Sequence, residues 1–289
     1  MNSRERVLAV LNGNLPDRLP WIENFVSNEV MAGLLGHDDF DIKCTYSQKI
    51  DVPGMIRVSP DLRNVIPIDN ISYDLAPPRY AKTEKLGGHD NITEGLLKTK
   101  NDLKLLDNLP DPDDEHLYRP AEEFLKHHKN DSAAIITVRS GPSNTYLSMG
   151  IDHFCMSIMT DPDLVMEIMW RFSNWTKRVV ENVQELPFDL FFIPDDIGFG
   201  AAPMISPKHF REFCVPVMKN VFDEIKLPII YHSDGNIMPI MEDIISLGVA
   251  GIANMEPGPM DIIEVKRKYG NRVTIVGNID LHYTLTDGS

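Results

Sequence analysis

Hydrophobic and polar positions along this chain follow helical and strand-like periods in turn. Residues 2–13 carry an apolar stripe of Val7, Leu8 and Leu11 at helical spacing. Asn2 is placed to cap that helix, Glu5 to complete a capping box, and Gly13 to end it. Residues 19–25 (LPWIENF) predict a first strand. Residues 50–125 are rich in Pro, Asp and Gly and predict an irregular excursion, with one strand between 50 and 75 and an exposed hairpin around 83–100.

From residue 130 the pattern becomes regular. Short apolar, β-branched runs at 133–138, 189–194, 227–232, 249–254 and 273–278 predict buried strands. Between them lie helical patterns. One spans 161–185, with Pro162 in its first turn and Val165, Ile168, Phe172, Trp175 and Val179 on one face. Another starts at Ser206-Pro207 and is expected to kink near Pro216. A third ends near Gly248, and a fourth covers 260–269 and stops at Gly270. Strands alternating with helices mean a parallel sheet covered by helices, within a single domain over 1–289. About seven strands point to a (β/α)8 TIM-type barrel. An open doubly wound sheet is the alternative, but the first strand is not followed by GxGxxG. After Asn278 only eleven residues remain, so either a strand lies earlier or the barrel is incomplete at the C-terminus.

Charge narrows the function. The chain of 289 residues has a formal net charge of −15, which argues against nucleic acid and mildly against polyanions unless cations gather in one pocket. Three scattered cysteines support neither a disulfide framework nor a zinc finger and fit a reducing cytoplasm. No apolar run reaches the roughly 18–20 residues of a membrane span.

Candidate chemistry falls where strands end, which in a barrel is the functional face. Four successive strands end in Asp195-Asp196, His232-Ser233-Asp234-Gly235-Asn236, Glu256-Pro257-Gly258 and Gly277-Asn278-Ile279-Asp280. His232 and Asp234 are two apart, hence on one face of the strand, and could ligate one metal. Each also has a plain reading. Asp195-Asp196 can cap a turn, His232 can be a core histidine, Asp234 can cap a helix, and Glu256 can be a turn residue.

The segments RERVLAVLNGNLPDRLP (4–20), GP (141–142), DPDLV (161–165), ISPKHFREFCVPVMK (205–219), IIYHSDGNIMPIMEDIISLGVAGIANMEP (229–257) and VTIVGNID (273–280) resemble the uroporphyrinogen decarboxylase superfamily. The resemblance implies a (β/α)8 barrel that continues past a point like Ser289, and, from the decarboxylases, a homodimer. Two chemistries follow from it. The decarboxylases use no cofactor and hold an octacarboxylate tetrapyrrole through arginines after the first strand; here 21–33 contains none. Tyr146, four residues before Gly150, matches their tyrosine. The corrinoid-linked methyltransferases carry a zinc motif resembling His-x-Cys-Gly-Asn. Here Asp234 replaces the cysteine, which suggests a harder, oxygen-rich site.

The leading expectation is therefore a methyltransferase moving a methyl group between a methoxy, methylamine or thiol compound and a corrinoid on a partner protein. In it His232 and Asp234 bind zinc, Asp196, Glu256 and Tyr146 are catalytic, and Asp195, Asn236, Asn278 and Asp280 bind substrate. The alternatives are porphyrinogen decarboxylation and a catalytically silent binding protein.

Overall fold

The computed structural model describes residues 1–37, 55–86, 89–128 and 131–280. In chain order it begins with α1 (Ser3–Leu11), α2 (Asn28–Leu35), β1 (Met55–Val58), β2 (Asn70–Asp74) and the hairpin β3 (Ala81–Leu86) and β4 (His89–Gly95). Next come α3 (Arg119–His128), β5 (Ala133–Thr137), α4 (Pro142–Met149), α5 (Ile151–Thr160), α6 (Pro162–Val183) and β6 (Leu190–Pro194). A small antiparallel pair, β7 (Gly198–Phe199) and β8 (Ala202–Pro203), precedes α7 (Pro207–His209). That helix passes through a π turn over Phe210–Cys214 into α8 (Val215–Phe222). The last elements are β9 (Ile229–His232), α9 (Met241–Ser246), β10 (Gly251–Ala253), α10 (Ile262–Tyr269) and β11 (Thr274–Ile275).

The main sheet runs β1-β2-β5-β6-β9-β10-β11. Every neighbour in it is parallel except β1, which pairs antiparallel with β2. This strand–helix succession is the (β/α)8 TIM-type architecture, and the doubly wound alternative is set aside. Residues 281–289, expected to begin a helix, lie outside the described residues. Among the described residues no helix is long and apolar enough to cross a membrane.

Strand alternation divides the side chains into two cores. One face carries Ile71, Tyr73, Ile136, Val138, Phe191, Ile193, Ile229, Tyr231 and Ile252, which pack under α6, α8 and the other helices. The other face carries Ala133, Ile135, Leu190, Phe192, Ile230 and Ala253. Val7 and Leu11 of α1, with Ile22 and Val276, complete that inner core. The amphipathic α1 can close this end because its start is fixed. The Asn2 side chain accepts the Glu5 N–H at 2.8 Å and the Glu5 carboxylate accepts the Asn2 N–H at 3.0 Å, the expected capping box.

Three expectations need correction. Residues 19–25 are extended but form no strand. Trp21 O accepts from Asp69 N–H, and the Asn70 side chain exchanges two hydrogen bonds with the Glu23 backbone, so a side chain takes the place of a ladder. The single strand expected between 50 and 75 is two, and β1 runs against the rest of the sheet. The bend expected near Pro216 is the π turn that precedes it.

Candidate active site

The last inward positions of neighbouring strands carry the charge. Following the inner face upward gives Asp74 after Asn70 and Ser72, Arg139 after Ile135 and Thr137, and Asp196 after Phe192 and Pro194. On β9 it gives His232 and then Asp234 after Ile230. His232 Nε2 lies 3.3 Å from Asp196 Oδ1 and 3.7 Å from Asp234 Oδ1. One ligand atom from each of the three can be chosen so that all lie within 4.8 Å of one another. Phe192 backs the imidazole with its ring centroid 5.5 Å away. Next to them opens a cavity of about 230 Å³, lined by His232, Phe192, Ile135, Ala253, Asn254, Val276 and the extended segment Ile22, Glu23, Asn24 and Phe25. A larger groove of about 650 Å³ lies at the opposite end of the strands, between α1 and Leu227. Its carboxylate, Asp189, is already held by Arg4 at 2.7 Å, so the converging chemistry is in the smaller cavity.

Loop packing holds the cluster. The buried Ser233 hydroxyl accepts the Ile197 and Gly198 N–H groups at 3.0 and 2.9 Å, pinning the loop after β6 to that after β9. Asp234 N–H donates to Asp196 at 3.2 Å, and Gly235 N–H donates to Glu256 Oε2 at 3.2 Å. The approach leaves no room at Gly198, where an added Cβ would stand 2.2 Å from the Asp234 carbonyl oxygen. Gly198→Ala is therefore expected to destabilise the protein by about 1–3 kcal/mol through a forced backbone shift. Thermal unfolding of the variant checks this.

The electrostatics of the three residues are coupled. Burial alone would lower the His232 pKa, but the Asp196 and Asp234 carboxylates outweigh it and raise the imidazole above its ordinary value. Burial would raise Asp196, yet the hydrogen bond and charge of His232 hold it low. Asp234 is raised by burial and by repulsion from Asp196 and Glu256, against the pull of His232. Excess negative charge is thus focused on one imidazole, the pattern of a cation site. Tyr146 is nearly buried on α4 and close enough for Asp196 and Asp195 to add to the effect of burial, which keeps its phenol protonated.

Other expected residues are used structurally. Asp195 is one position out of phase with Asp196 and points to the helix side, 1% exposed. Its carboxylate accepts from Ser140 N at 2.8 Å, Ser143 N at 3.2 Å, Ser143 Oγ at 2.6 Å and also Ser140 Oγ. A substrate cannot reach it, which corrects the substrate-binding expectation. The Asn236 side-chain oxygen is occupied by Met238 N–H. Asn278 donates to the Met255 carbonyl at 2.6 Å, tying adjacent loops together. Asp280 is the last described residue and is not part of the three-residue cluster.

Several residues were not anticipated. Glu23 lines the cavity, and burial raises its pKa against a hydrogen bond from Trp21 Nε1. Arg57 and Arg139 pair with Asp74, and Arg79 lies within electrostatic reach of it. Strand parity would have placed Arg139 inward, since it follows Ile135 and Thr137.

The uroporphyrinogen decarboxylase (URO-D) family model matches residues 87–289, most of the chain. This chain belongs to the URO-D family. No curated protein matches it in sequence. Among solved structures, a methyltransferase from Methanosarcina mazei superposes with a TM-score of 0.71 at 15% identity, covering 100% of this chain and 86% of that one. That likeness carries the fold from one end of the described sheet to the other. Within the URO-D family frame, the Asp196, His232 and Asp234 cluster sits at the C-terminal ends of the strands, the functional face of such barrels.

Proposed function

We propose that this URO-D family chain is a metal-assisted methyltransferase. It would move a methyl group between a small methoxy, methylamine or thiol compound and a corrinoid carried by a partner protein. The observation that carries this reading is the convergence of one imidazole and two carboxylates at the mouth of a small cavity. That donor set fits a divalent cation such as zinc, and its oxygen content favours an ether or amine over a thiol, which gains from soft ligands.

Asp196, His232 and Asp234 would hold the metal, with Asp196 as a ligand in addition to the His232 and Asp234 pair expected from the sequence. Bound there, zinc supplies Lewis acidity to the heteroatom that parts from the methyl group. Glu256, through Gly235 N–H, and Asn254, through its bond to the Asp234 carboxylate, keep Asp234 in place. Phe192 and Ile135 wall off water beside the imidazole. Glu23 holds its proton to higher pH than an exposed glutamate and lines the same cavity as His232, a position from which to protonate the departing heteroatom. A cavity of about 230 Å³ suits a small methylated compound better than a tetrapyrrole.

The test is methyl transfer from methoxy compounds to free cobalamin held as cob(I)alamin by a chemical reductant, followed by the absorbance of methylcobalamin. Zinc-loaded protein is expected to be active, and Asp196→Asn, which loses a ligand and with it the zinc, to transfer no faster than metal-free protein. Metal-free protein that decarboxylates uroporphyrinogen would overturn the proposal.

A further inference from the structure

Asn24 lines the same cavity as His232 and has no part in the reaction as derived. Its backbone is fixed on either side. Glu23 exchanges hydrogen bonds of 2.9 and 2.8 Å with the Asn70 side chain, and Val26 N–H donates to the Arg57 carbonyl at 3.1 Å. The Asn24 side chain is held by β5. Thr137 follows Ile135 on the inner face of that strand, is fully buried, and donates through Oγ1 to Asn24 Oδ1 at 3.1 Å. Among the described residues the Thr137 hydroxyl has no other acceptor. Turning the amide over would set Nδ2 against Oγ1 and strand that buried O–H, so the bond decides which end of the amide is spent. The Nδ2 end remains. Among the described residues it donates to nothing, and it stays accessible. Around it the side chains of Ile22, Phe25, Ile135, Phe192, Ala253 and Val276 make an apolar wall with no hydrogen bond to offer.

We infer that Asn24 is a specificity-determining residue whose amide N–H group takes a carbonyl-type oxygen of the small substrate, so that the methyl-bearing compound carries an oxygen acceptor besides the heteroatom that loses the methyl group. A donor set in an otherwise apolar wall selects mainly by its penalty on ligands that leave it unpaired. An alkylammonium, which brings donors only, meets a donor there and is disfavoured. That the bound compound is a methyl donor rests on the methyltransferase reading; the polarity of the cavity wall does not.

NMR titration of the zinc-loaded full chain with methoxyacetone and with 3-methoxy-2-methylpropene, in which a methylene replaces the carbonyl oxygen, tests it. The ketone 2-methoxyacetophenone and the alkene 2-isopropenylanisole form a second, aromatic pair. In at least one pair the ketone is expected to bind about tenfold more tightly than the alkene. Asn24→Asp keeps an acceptor for Thr137 but removes the amide N–H, and is expected to erase or reverse the preference. Thr137→Val keeps the amide but frees it to turn, and is expected to reduce the preference; it decides the matter where circular dichroism shows that Asn24→Asp has not folded. Equal affinity within both pairs, no binding by either ketone, or an unchanged preference in the deciding variant overturns the inference. A preference for the ketone without methyl transfer to cob(I)alamin would leave the role of Asn24 standing and sink the methyltransferase reading. Methyl transfer with no preference within either pair would do the reverse.

Discussion

Asp69→Ala is expected to lower the free energy of unfolding by about 3–5 kcal/mol, the range for removing one partner of a buried ion pair. The Asp69 side chain is fully buried just before β2. Its oxygens accept from Arg6 Nη1 at 2.7 Å, Arg18 Nη1 and Nη2 at 2.8 Å, and Trp21 N–H at 2.9 Å. Arg6 in turn reaches Asp17 through Nε at 2.6 Å. This network joins α1, the extended segment 19–25 and the sheet, so its loss frees both the helix closing the inner core and the segment lining the cavity. Urea unfolding measures the effect; a change within 1 kcal/mol would contradict it. The pH dependence has a definite sign. Burial would raise the Asp69 pKa, but the Trp21 N–H, the Ser3 hydroxyl and Arg18 hold it below the ordinary carboxylate value. A depressed carboxylate stabilises the fold fully above its unfolded pKa, near 4, and that contribution disappears as pH falls through the folded value. The acid limb of the wild-type stability curve below about pH 4 is therefore expected to flatten in Asp69→Ala.

Asp195→Ala is expected to cost about 2–4 kcal/mol, because it leaves two hydroxyls and two backbone N–H groups of the Ser140–Ser143 turn without their acceptor. The contrast with Asp196 is informative. Asp196→Asn is expected to lose metal with little change in stability, whereas Asp195→Asn, which keeps an acceptor oxygen, should recover part of the stability lost in the alanine variant. Parallel thermal unfolding and metal analysis of the three variants separate the roles.

Two adjacent aspartates with opposite duties show how far sequence carries. Alternation on β6 already distinguishes them: Phe192 and Asp196 share the inner face, and Ile193 and Asp195 the outer. The same parity makes His232 and Asp234 cofacial, so the centre of the cluster is legible in the chain. Likewise the strands from 133 onward and their helices follow from apolar runs and caps. The first third does not read so easily. Trp21, Glu23 and Phe25 look like strand, but their partner is the Asn70 side chain and the Asp69 backbone, a pairing invisible to local pattern. The arginines around Asp74 come from β1, the loop after β2 and the end of β5, so sheet register, antiparallel between β1 and β2 and parallel between β2 and β5, brings Arg57 and Arg139 to it. A search for arginine confined to the segment after residue 20 misses them for that reason.

Elemental analysis of the purified, dialysed protein tests the central claim most directly. One zinc per wild-type chain, with loss of that zinc in His232→Ala and in Asp196→Asn while both variants keep the wild-type circular dichroism, is the predicted result. Substoichiometric metal that is the same in all three proteins, after incubation with zinc, would contradict the metal-assisted mechanism.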